Sequence, residues 1–99
     1  MQLEGKNVLI TGGTRGIGKC MVKELVKGGV RQIAVIARDK QNLKQLSQEF
    51  EDVKFIRIAG DVAEIEVLRE AVALIEDKWG HLDILINNAG IVSAGPLED

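Results

Sequence analysis

Asn7-Val8-Leu9-Ile10-Thr11-Gly12-Gly13-Thr14-Arg15-Gly16-Ile17-Gly18 opens on a short apolar, β-branched run that halts at paired glycines. Such a run reads as a buried strand feeding a glycine turn. A helix is predicted next: over Gly16 to Lys27, Ile17, Cys20, Met21 and Leu25 recur at spacings of three and four, and Val22 and Val26 widen the apolar face. Gly28-Gly29 supply its stop. Strand, glycine turn and helix N-terminus in succession are the setting in which such turns bind a pyrophosphate. Glycines let the backbone approach the ligand, and the unpaired N–H groups and positive dipole end of the helix favour its charge.

The cycle then repeats down the chain. Gln32 to Ala37 is a second buried strand, and Leu43, Leu46 and Phe50 put an apolar stripe on a helix from about Asp39, a possible cap, to Phe50. Val53 to Ile58 is a third strand, and Lys54 and Arg57 within it mark an edge that meets water. Ile65, Leu68, Val72, Ile75 and Trp79 define a third amphipathic helix ending before Gly80, and Leu82 to Ile86 is the fourth strand. Strand and helix alternate without a hairpin signal, so the strands are expected to pair in parallel through right-handed crossovers. The predicted fold is α/β: the N-terminal half of a Rossmann-type doubly wound parallel sheet, with about four strands and three helices. Residues 1–99 form one dinucleotide-binding domain that stops after the fourth strand.

Composition narrows the function classes. A charge of -2, from 13 basic and 15 acidic residues mixed along the chain, offers no basic stripe for nucleic acid or an anionic membrane. No apolar stretch approaches the roughly 20 residues of a membrane span. A lone cysteine, Cys20, excludes an internal disulfide, and the start lacks a secretion signal, so a cytoplasmic setting is expected.

Three motifs in order now carry a resemblance: TGGTRGIG after the first strand, Asp61-Val62 after the third, and Asn87-Asn88-Ala89-Gly90 after the fourth. Together they resemble the short-chain dehydrogenase/reductase family, over essentially the whole chain. The resemblance implies that Gly12, Gly16 and Gly18 floor the pyrophosphate site, lined by Thr14, Arg15 and Ile17. It implies that Asp61 and Val62 hold and cover the adenine, and that Asn87, Ala89 and Gly90 sit beside the riboses and steady the central strand. Read from the residues alone, Asp61 is also a plausible cap for the third helix, for which Ala63 is a poor one.

The cofactor follows from charge. A free ribose 2′-hydroxyl is usually held by a carboxylate near the end of the second strand, whereas a 2′-phosphate needs a basic group. Ala37 stands at the carboxylate position and Arg38 follows it; Arg15 is the second phosphate partner that the resemblance implies. A guanidinium suits phosphate because it offers several donors in a planar, permanently charged fork. NADP is therefore preferred, and NAD stays open through Asp39.

The resemblance also implies catalysis by a tyrosine acid/base, a lysine four residues later and a serine, all well beyond the Asn-Asn-Ala-Gly motif. The chain contains no tyrosine, and Ser93 lies too near that motif to be the family's serine. No catalytic or metal residue is therefore assigned. Cys20 is expected in the core, Trp79 as an anchor against the sheet, and His81 has no partner pointing to a metal or a base. The expected function is the NADP-binding portion of an oxidoreductase that moves hydride between NADP(H) and an alcohol or carbonyl, inactive as this fragment alone. The fourth strand's edge is expected to drive self-association, with a homo-oligomer in the longer protein. A non-catalytic nucleotide-binding module, or a subunit completing its sheet against another chain, are the other readings.

Overall fold

The structure, a computed structural model, describes residues 3–12 and 16–87, with backbone only at 16 and 17. Seven elements alternate as expected: β1 (Asn7–Thr11), α1 (Gly16–Lys27), β2 (Gln32–Ala37), α2 (Lys40–Glu49), β3 (Lys54–Ala59), α3 (Ile65–Trp79) and β4 (Ile84–Asn87). The strands form one parallel sheet in the order β3-β2-β1-β4. The chain builds outward from β1 to β3, and α3 then carries it back across the sheet to lay β4 against the other side of β1.

Alternation along the strands divides the core between two faces. Val8 and Ile10 of β1 join Ile33 and Val35 of β2 under Val22 and Leu25 of α1 and Leu43 and Leu46 of α2. Leu9, Ala34, Ile36, Ile56 and Ile58 point the other way, onto Ala71 and Ile75 of α3. Side chains two apart share a face and neighbours oppose; a continuous apolar run such as Val8-Leu9-Ile10 is thus what a strand covered on both faces requires. At the β3 edge, Lys54 and Arg57 are exposed while Ile56 and Ile58 are buried.

Local chemistry sets the ends of the helices. Asp39 caps α2, its carboxylate accepting from Gln41 N at 2.8 Å and Asn42 N at 3.3 Å. After α1, Gly29 N donates to Val26 O and Val30 N to Leu25 O, with Gly29 at φ +104°. That is a Schellman closure, in which glycine meets no side-chain penalty at positive φ.

Several expectations need correction. Cys20 is exposed, not in the core: α1 buries Val22 and Leu25, and at 3.6 residues per turn Cys20 lies roughly 160° and 140° round the helix from them. Ile65 is 56 % exposed and Ala71 takes a core place in α3; Ile65 sits about 80° and 120° off the line of Ile75 and Ala71. The third strand begins at Lys54, because Val53 N still closes the preceding turn on Phe50 O. The fourth begins at Ile84, because the Asp83 side chain, not a backbone carbonyl, accepts from Asn7 N at 2.7 Å. Asp61 does not cap α3. The N-cap is Glu64, without a side-chain cap bond, so Ala63 is no longer the cap position.

Candidate cofactor site at the carboxyl ends of the strands

The strand order reverses between β1 and β4, and open α/β sheets bind ligands outside the carboxyl ends of the strands at such a reversal. Thr11 and Asn87 are register partners across this reversal, and Thr11 Oγ1 donates to Asn87 Oδ1 at 2.9 Å. The chain leaves β1 through Gly12 at φ +74°, whose N–H donates to Ile36 O at 2.8 Å. This bond continues the β1–β2 ladder one residue past the strand and fixes where the turn departs. Gly16 and Ile17 open α1, and Gly18 is buried in its first turn, which contains no acidic residue to oppose an anion. Thr14, Arg15, Ala89 and Gly90 lie outside the described residues.

Farther along the same end, Gly60 N donates to Ala37 O at 2.9 Å, holding the exits of β2 and β3 together. Arg38 and Asp61 follow these exits and form an ion pair, with Nη2 to Oδ2 at 3.2 Å and side chains 80 % and 39 % exposed. Asp61 also closes the turn into α3: its Oδ1 accepts from Ala63 N, and its backbone carbonyl from Glu64 N, both at 2.9 Å. A Cβ added to Gly60 would lie 3.0 Å from Val67 Cγ1, so the turn runs tight against the helix. Val62 packs on the α3 face of the core. The structure thus brings Arg38 and Asp61 together at one sheet end with Gly12, Gly18 and Asn87.

Sequence reasoning missed that Arg38 and Asp61 contact each other. The signal was available in the parallel pairing, since Ala37 and Ala59 are register partners and the two residues lie one and two places beyond them. It also missed a cluster at the opposite, amino-terminal end. There Asn7 Nδ2 donates to His81 O at 2.8 Å, and His81 Nε2 lies 3.1 Å from Asp83 Oδ2, so the histidine does have a carboxylate partner. The Asp83 carboxyl is held below its ordinary range chiefly by the Asn7 N–H bond, against the opposing effect of burial and with help from His81 and Lys6. A shallow cleft of about 240 Å³ lined by Lys6, Arg31, Asp52 and Lys54 also opens at that end, away from the carboxyl ends of the strands. Among the described residues, no three His, Cys, Asp or Glu side chains gather to hold a metal, and no helix is long and apolar enough to cross a membrane.

Comparison with known proteins agrees with this fold. The family model described as short chain dehydrogenase matches residues 6–99. A short chain dehydrogenase of Pseudocercospora fijiensis is 40 % identical, over 99 % of this chain and 32 % of its own length. The NAD(+) 15-hydroxyprostaglandin dehydrogenase of Rattus norvegicus is 36 % identical over 92 % of the chain and 35 % of its own. The crystal structure of L-sorbose reductase from Gluconobacter frateurii, complexed with NADPH and L-sorbose, superposes with a TM-score of 0.79 at 33 % identity, covering 98 % of this chain and 38 % of that one. The chain spans about a third of the length of the relatives it matches.

Proposed function

Because this chain belongs to the short-chain dehydrogenase family, we propose that residues 1–99 form the NADP-binding unit of an oxidoreductase that moves hydride between NADP(H) and an alcohol or carbonyl substrate. The observation that carries the cofactor choice is the fate of the two candidate side chains after β2. Asp39, the carboxylate that could hold a free 2′-hydroxyl, is turned into the first turn of α2 as its N-cap. Arg38 keeps its guanidinium at the sheet end, largely in solvent. A cation at this position suits a 2′-phosphate. The NADPH of the sorbose reductase is consistent with that choice, and the NAD(+) of the prostaglandin dehydrogenase shows that family membership alone does not decide it.

The remaining roles follow the carboxyl ends of the strands. Gly12, Gly16 and Gly18, with Thr14, Arg15 and Ile17, would hold the pyrophosphate against the start of α1, where positive φ at Gly12 and a first turn without acids fit an anion. Asp61 and Val62 would meet the adenine; Asn87, Ala89 and Gly90 would meet the riboses. When bound, the nicotinamide would give hydride to a carbonyl or take it from an alcohol. These residues bind and orient; a chain without tyrosine has no family-type acid/base, so on its own it is expected not to turn over. Leu85 of β4, 52 % exposed, is where self-association through the sheet would bury apolar area.

The test is calorimetric titration with 2′,5′-ADP and 5′-AMP, on wild type and Arg38→Ala. A charge-assisted hydrogen bond contributes on the order of 1.5–3 kcal/mol, so the variant is expected to bind 2′,5′-ADP about ten- to a hundredfold more weakly and 5′-AMP unchanged. Equal binding of the two ligands by wild type would overturn the NADP assignment.

A further inference from the structure

The pairing of Arg38 with Asp61 sets a protein anion against the cation assigned to the cofactor's phosphate. The carboxylate is fixed, because Oδ1 closes the turn on Ala63 N while Oδ2 meets Arg38 Nη2 at 3.2 Å. The two backbones are fixed as well, through the Ala37–Ala59 register and the Gly60 N to Ala37 O bond. Arg38 therefore cannot relax away from Asp61 by strand movement; only its side chain can turn. An incoming phosphate at the guanidinium must share it with Asp61 or displace it.

We infer that Asp61 is a specificity-determining residue whose ion pair with Arg38 competes with the cofactor's 2′-phosphate and holds the preference for the phosphorylated cofactor below what Arg38 alone would give. The inference rests on the NADP reading above. Exposure sets its scale. Ion pairs in solvent are weak, so the competition amounts to about two- to fivefold in affinity, enough to tune a preference and too little to block binding. Its sign is opposite to that of a merely orienting contact: were Asp61 needed to aim Arg38, its removal would weaken phosphate recognition.

Asp61→Asn separates the two. The amide keeps an acceptor for Ala63 N and removes the charge. The quantity to measure is the ratio of the 5′-AMP to the 2′,5′-ADP dissociation constant, because both ligands carry adenine and any lost adenine contact cancels. In the whole protein the ratio should rise two- to fivefold in the variant, and by more at low ionic strength, where exposed charges are less screened. A ratio unchanged or lowered overturns the inference. Asp61→Ser, which also keeps an oxygen for the turn, supplies the same reading should the asparagine variant misfold. If wild type shows no preference, the NADP reading fails by itself; the competition still stands if the variant gains a preference and falls if it gains none.

Discussion

Replacing Ile75 by alanine, set beside the same replacement at Ile65, tests the packing that holds the site. Both isoleucines belong to the apolar pattern of α3, yet Ile75 is fully buried against Leu9, Ala34, Ile36, Ile56 and Ile58, while Ile65 is 56 % exposed. The change removes three carbons. At about 0.8 kcal/mol per buried methylene, transfer alone costs roughly 2.4 kcal/mol at position 75. A residual cavity between helix and sheet brings the expected loss to about 2–5 kcal/mol. Alanine returns up to about 0.7 kcal/mol of helix propensity at position 75, in the helix interior. At Ile65, the first residue of the helix and more than half exposed, little burial is lost, and the net change should stay within about 0.5 kcal/mol. Urea unfolding followed by far-UV circular dichroism and by the single tryptophan, Trp79, which packs on the same face of the core, measures both. The expected result is a large fall in midpoint for Ile75→Ala at unchanged slope. Equal losses at the two positions would refute the assignment of the buried face of α3.

Two further outcomes are expected. Thr11→Val removes the hydroxyl that bonds Asn87 from a site 1 % exposed and should cost about 0.5–1.5 kcal/mol in the same assay; a variant as stable as wild type would show that the bond does not help hold β4. Asp83, whose carboxyl titrates below its ordinary value of 3.8, contributes stability that is present above that pH and lost as pH falls through the lower folded value. Asp83→Asn should therefore flatten the acid side of a stability profile taken from pH 6 down to pH 2.5, and an unchanged acid side would contradict this.

Periodicity made the order of elements legible, because apolar spacing of two or three-to-four residues is the direct imprint of burial on a strand or a helix. It failed where several apolar residues compete for one helix face. Cys20, Met21, Val22 and Leu25 are all apolar, and only the position of the sheet selects Val22 and Leu25 for burial and turns Cys20 outward. Strand ends were misplaced where a side chain replaces a backbone group, as Asp83 does for Asn7 N. At the site, the glycine turn and the basic residue after β2 could be read from local chemistry. The Arg38–Asp61 pair joins residues 23 positions apart, and only a stated β2–β3 register would have brought it into view.

The strand order has a consequence for the sequence of events in folding. β1, β2 and β3 are neighbours in the chain as well as in the sheet, and α1 and α2 cover one face of them with comparatively short connections. β4 is different: the bonds from Asn7 to Asp83 and from Thr11 to Asn87 each span 76 residues. Closing so long a loop loses entropy before any contact compensates for it, and it also requires α3 to have crossed the second face. The β1–β4 pairing is thus the part of the described sheet that depends most on distant contacts, and any ligand that binds only the completed pairing would stabilise only chains that have closed the whole circuit.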